Sequence, residues 1–121
     1  MVIVDTNKGE AVESDWEGFY GGKAYTKFIL DEEYPGEKIG IGLVKFDPGA
    51  KNKFHTHTTG QVLYVTEGKG FVANREKEVI VTPGTLIYFS PGEEHWHGAT
   101  DDSSFAHFSI MGAPSENVVT G

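Results

Sequence analysis

Cysteine is absent from the 121 residues. That excludes disulfides, thiolate nucleophiles and cysteine-ligated metals, and it leaves the redox compartment unread. Basic residues are scarce: 10 Lys and Arg stand against 18 Asp and Glu, a net charge of −8. Such a chain repels phosphate backbones and anionic lipid, so neither nucleic acid nor membrane is an expected partner. No apolar run approaches the length of a membrane span. Met1-Val2-Ile3-Val4-Asp5 lacks the charged start and apolar core of a signal peptide, and a cytoplasmic location is expected. Also missing are a Gly-x-Ser-x-Gly nucleophile elbow and a phosphate-cradling glycine loop; Gly68-Lys69-Gly70 reads as a hairpin turn. No stretch of useful length carries a helical period.

What remains is a chain long enough to bury a core as one domain, with 16 glycines marking frequent turns. Residues 1–22 read as an N-terminal arm. Val2-Ile3-Val4 offers an edge strand there, and Trp16, Phe19 and Tyr20 offer an aromatic lid over an edge of the core. From Lys23 onward short strands alternate with Gly, Pro, Asp and Asn punctuation. The expected strands are 24–30, 38–46, 54–57, 61–67, 71–74, 79–82, 85–89, 95–99 and 104–111. Asp31 to Gly36 reads as an acidic turn, and 54–57 with 61–67 as a central hairpin. Residues 112–121 read as a loose tail. Nine or ten short strands at this spacing predict an all-β sandwich or barrel.

The candidate chemistry centres on His55-Thr56-His57-Thr58-Thr59-Gly60-Gln61. Strand side chains alternate, so His55 and His57 project from one face. A chain reversing at Thr58-Thr59-Gly60 returns the Gln61 amide toward both imidazoles. Two ring nitrogens and a carbonyl oxygen suit a divalent first-row metal. A third nitrogen can come from Glu94-His95-Trp96-His97. A single histidine is most often an ordinary core or surface residue; three converging ones are not. Gln61 reads either as a further ligand or as a hydrogen-bonding residue standing where a ligand was lost. His97, two past His95, faces the same interior, as a pocket-wall imidazole or a ligand. Trp96 faces the other way. His107 alternates with Phe105 and Ser109 on the last strand.

Gly49, His55, His57, Gln61 and Gly68 resemble the first cupin motif in spacing, with Gln61 where that family usually has glutamate. Gly84, Ser90-Pro91-Gly92 and His95 resemble the second, with Ser90 where the family has proline and Ala99 where it has asparagine. Ser90-Pro-Gly-Glu-Glu-His-Trp-His-Gly-Ala99 and the His55 to Gln61 stretch are similar, more narrowly, to small single-domain cupins of the carboxymuconolactone-decarboxylase-associated type. Bacterial manganese-dependent hydroxynitrile lyases belong among these. The resemblance implies a double-stranded β-helix, or jelly-roll barrel, over residues 23–111. It implies a metal held by His55, His57, Gln61 and His95, with manganese or iron foremost and nickel, cobalt, zinc or copper allowed. It also implies a homodimer or larger assembly, and His107 as an acid–base group; His97, by its position, is the other candidate to move the proton. Gly42, Val44, Phe46, Phe54 and Met111 are expected to line a pocket for a small-molecule substrate. Two functions follow: a metal-dependent lyase, isomerase or oxygen-using enzyme, or a non-catalytic metal- or ligand-binding module working beside another enzyme.

Overall fold

The computed structural model describes residues 1–30 and 39–121. The acidic turn expected at Asp31 to Gly36, and Lys38, lie outside the described residues. Among the described residues are thirteen strands. In chain order they are β1 (Val12–Glu13), β2 (Phe19–Tyr20), β3 (Ala24–Leu30), β4 (Ile39–Phe46), β5 (Lys51–Asn52), β6 (His55–His57) and β7 (Gln61–Gly68). Then come β8 (Gly70–Asn74), β9 (Glu78–Val81), β10 (Leu86–Phe89), β11 (His95–Ala99), β12 (Phe105–Gly112) and β13 (Asn117–Val119). Among the described residues no helix is long and apolar enough to cross a membrane.

The strands form two antiparallel sheets that face each other as a jelly-roll barrel. One runs β1-β3-β4-β12-β7-β10. In the other, β11 pairs β8 along one edge and β5 and β6 along the opposite edge, with β2, β9 and β13 outside them. The inward residues of each strand alternate with outward ones. On β7, Gln61, Leu63 and Val65 are buried while Tyr64 is exposed. Phe46, Leu63, Val65, Phe89 and Phe105 fill the space between the sheets.

The sequence places most of these strands within a residue or two but misreads how two of them connect. β6 and β7 are not paired with each other; they lie in different sheets. Thr58-Thr59-Gly60 therefore carries the chain across the barrel instead of closing a hairpin. Lys69 makes a second crossing between β7 and β8. Gly68 has φ of 73° there, and a Cβ on it would lie 1.8 Å from the Ser104 carbonyl oxygen. A side chain is excluded twice over at that corner, by conformation and by space.

Both ends of the chain also depart from expectation. Val2, Ile3 and Val4 form no strand and are exposed; the edge strand of the arm is β1, on β3. At the other end, Asn117–Val119 is not loose but pairs with β6. Thr120 N–H donates to the Phe54 carbonyl at 2.8 Å and continues that seam.

Candidate metal centre

Six polar side chains meet at one level of the barrel. His55 and His57 alternate on β6 and both turn inward; His95 and His97 do the same on β11, with His95 directly opposite His55. Gln61 on β7 and His107 on β12 enter from the facing sheet. All six are buried. The crossing at Thr58-Thr59-Gly60 is what sets Gln61 against the imidazoles, since a hairpin would have left it beside them in the same sheet.

The hydrogen bonds fix which ring nitrogen is free. His55 Nδ1–H donates to the Lys53 carbonyl at 2.7 Å and His95 Nδ1–H to the Glu93 carbonyl at 2.9 Å. His57 Nδ1–H donates to the Asn117 side-chain oxygen. A carbonyl oxygen can only accept, so each Nε2 is left with a lone pair, aimed inward. Ring centroids lie 4.3 Å apart for His55 and His95, 4.9 Å for His55 and His57, and 5.1 Å for His57 and His95. His57 Nε2 is buried and has no partner among the described residues. A buried lone pair without a donor is costly and calls for an occupant.

Gln61 sharpens the case. Its Nε2 donates to Ser109 Oγ at 2.8 Å, which turns Oε1 toward His95 Nε2 at 3.1 Å. Two acceptors then face each other, an arrangement that a cation between them stabilises. Three inward imidazoles, one orphaned nitrogen and an amide oxygen fit a divalent first-row ion.

Burial drives every one of these histidines toward the neutral form. Desolvation lowers His55 to about 3 and His95 to about 4, against the opposing pull of the carbonyls on their Nδ1. It lowers His57 too, opposed chiefly by the hydrogen bond to Asn117. His107 falls to about 4, and His97 lies well below its usual range through burial and then the neighbouring His107. All five are thus unprotonated at pH 7, as metal ligation demands.

His97 has a position of its own. One atom each of His55, His95 and His97 lie within 4.8 Å of one another, a grouping that omits His57. That grouping rests on distance alone. The orphaned Nε2 of His57 carries more weight, because it is the atom lacking a partner. His97 is also pinned elsewhere: Asn52 Oδ1 accepts its backbone N–H at 2.9 Å, and its Nδ1 lies 3.2 Å from His107 Nε2. His107 Nδ1–H donates to the Phe108 carbonyl at 3.1 Å. By the same logic His97 Nδ1–H donates to His107, leaving His97 Nε2 as an acceptor, with Asn52 Nδ2 3.4 Å from it. His107 therefore reaches the centre through His97 and not beside it.

A cavity of about 660 Å³ opens onto this cluster. Gly42, Val44 and Met111 line it. Phe46 does not; it is fully buried behind the cavity, its ring 5.7 Å from His97 and 5.8 Å from His107. Phe54 does not either. It precedes His55 by one residue, so strand alternation sends it to the opposite face, where the Arg75 guanidinium sits 3.7 Å above its ring. Trp96 likewise turns away from the cluster, against Phe71 at 6.0 Å. The arm supplies wall instead: Trp16 stacks edge-on against His55 at 5.2 Å and against Phe19 at 5.3 Å. Gly18 makes this possible, since a Cβ there would meet the indole at 2.4 Å. Ser109 and Asn117 carried no recognisable signal in the sequence, because each acts by where its strand lies.

Residues 42–111 match the cupin domain model. This chain belongs to the cupin family. Within the family, it is 46% identical over 70 residues to an (R)-mandelonitrile lyase from Granulicella tundricola. That stretch covers 56% of this cupin and 53% of that protein, so the chain spans about half the length of the curated relative it matches. Among solved structures, a cupin-like protein from Thermotoga maritima is 31% identical with a TM-score of 0.81, over 93% of this cupin and 88% of that chain. The polyketide cyclase RemF from Streptomyces resistomycificus has a TM-score of 0.83 at 17% identity, over 100% of this cupin and 87% of that chain, and shares the fold. A three-histidine group in a cupin barrel points to a divalent metal.

Proposed function

We propose that this cupin is a metal-dependent enzyme acting on a small organic molecule, with the cation held by His55, His57, His95 and Gln61. Manganese or iron fits first, since imidazole and amide oxygen are borderline-to-hard ligands and two open positions remain on a six-coordinate ion. The observation that carries the reading is the partnerless, buried Nε2 of His57, set among imidazoles whose other nitrogens are all engaged. Bound there, the ion would polarise a carbonyl or hydroxyl oxygen and, lacking a carboxylate ligand, would keep its full charge.

The chain's own residues handle the proton and the orientation. His97 Nε2 accepts a proton from the bound molecule while His97 Nδ1–H passes its own to His107 Nε2, and the Phe108 carbonyl steadies the far end. Trp16, Val44 and Met111 give the cavity apolar walls that exclude water and seat an uncharged organic group. Lyase chemistry is the leading reading, supported by the identity to the (R)-mandelonitrile lyase; isomerase- or oxygenase-type reactions would use the same groups.

The chain works as a homodimer or larger assembly. Tyr64, Leu86 and Tyr88 are exposed on the outer face of one sheet, with Val62, Phe108 and Ile110 beside them in register. Such a contiguous apolar face suits a second copy.

The test uses manganese-loaded protein with an aromatic cyanohydrin. His107→Ala should keep one ion per chain and lose at least tenfold in turnover. Ligand binding with no turnover of any carbonyl or hydroxyl compound would favour the non-catalytic module.

A further inference from the structure

The three candidate imidazole ligands are not oriented alike. His55 and His95 each donate Nδ1–H to the carbonyl two residues earlier in their own chain segment, so local backbone fixes them. His57 has no such carbonyl; its Nδ1–H goes to the side chain of Asn117, sixty residues on. We propose that Asn117, presented by the C-terminal strand β13, is a positioning residue for the metal centre, setting the tautomer and angle of His57. The inference rests on the metal reading above.

The backbone around Asn117 is built to hold it there. Asn117 lies directly opposite His57 in the β13–β6 ladder, with Val119 opposite His55. Residues facing one another across a ladder share a face, so the Asn117 side chain is delivered to the imidazole by register. On one side of this pair, Thr58 N–H donates to the Glu116 carbonyl at 3.2 Å and Glu116 N–H returns to Thr58 Oγ1 at 3.0 Å. On the other, Thr120 and Gly121 N–H groups both donate to the Phe54 carbonyl. Thr59 Oγ1 adds a bond to Ser115 Oγ at 2.9 Å. The last residues of the chain are thereby laced to the His-x-His strand along its whole length.

The chemistry follows from the direction of one hydrogen bond. Asn117 Oδ1 accepts from Nδ1–H, which leaves Nε2 as the lone pair pointing at the centre. Without an acceptor at that place the neutral ring is free to carry its proton on Nε2 instead, because no donor among the described residues holds that nitrogen as a lone pair. A ring in that tautomer cannot ligate through Nε2. Removing such an orienting group commonly weakens a metal site by about ten- to a hundredfold. Asn117 is open to the cavity mouth, where water replaces part of its role, so the expected loss lies near the lower figure.

Asn117→Leu removes the acceptor at similar size, and Asn117→Asp restores one. Two measurements apply: the Mn²⁺ dissociation constant, and the ring ¹⁵N shifts of His57 in metal-free protein. Asn117→Leu should weaken Mn²⁺ binding about tenfold and move His57 toward the Nε2–H tautomer; Asn117→Asp should hold both within about threefold of the parent. A parent-like tautomer and affinity in Asn117→Leu, or equal losses in both variants, would overturn the proposal. Should the parent bind no Mn²⁺ while the tautomer still follows the acceptor, the orienting role stands and the metal reading falls.

Discussion

Two phenylalanines on either side of the centre show how much a single register step decides. Phe46 and Phe54 both read as pocket wall in the sequence, as apolar residues close to the motif. Phe46 is instead sealed behind His97 and His107, and Phe54 lies on the outer surface beneath Arg75. Phe46→Ala should lower stability by about 3–5 kcal/mol, measured by denaturant unfolding of metal-free protein, because it empties a filled core. Phe54→Ala should cost much less through its ring–guanidinium contact, about 0.5–1 kcal/mol. Equal losses would mean that the two environments are misassigned. The histidines were more legible than the phenylalanines: a polar, metal-competent residue repeated at strand spacing carries information that one apolar residue does not. Asn117 and Ser109 were invisible, since nothing local distinguishes an asparagine that reaches an imidazole sixty residues away from one in a solvated turn.

At the level of strands, alternation and turn residues located β3, β4, β7 and β11 closely, because each is long enough to show its period. The two-residue strands β1, β2 and β5 were beyond reach: two residues have no period, and they are held by their partners. Alternation also gives no information on which strand lies alongside which. That is why the crossings after β6 and β7 resembled hairpins, although both carry the chain to the facing sheet. Gly68 marks the second crossing, and Gly68→Ala tests it. With φ of 73° and Ser104 carbonyl oxygen in the way, the variant should lose well over 1 kcal/mol or fail to fold. Parent-like thermal unfolding would show that the corner is built differently.

The whole molecule should answer to acid in a characteristic way. Its five histidines are all lowered below their usual 6.5 by burial. In the unfolded chain they take up protons below about pH 6.5, while in the folded chain His95 and His107 resist until about pH 4 and His55 until about pH 3, with His57 and His97 also shifted downward. The unfolded state therefore binds more protons in that window, and stability is full above pH 6.5 and falls as pH drops through it. Each histidine contributes a slope of up to about 1.4 kcal/mol per pH unit. Denaturant midpoints of metal-free protein measured from pH 7.5 down to 4.5 should fall steeply; a flat profile would mean that these rings are hydrated. At the same scale, Tyr64→Glu on the apolar outer face should convert an assembled species to monomer in sedimentation.

Three imidazoles and one amide oxygen, brought from both sheets, should close on a single ion. X-ray absorption at the metal edge of protein loaded with one Mn²⁺ per chain tests this most directly. Imidazole scattering should be fitted by three rings with oxygen completing the shell, falling to two rings in His57→Ala. A shell of oxygen alone, or a spectrum unchanged by His57→Ala, would contradict this arrangement.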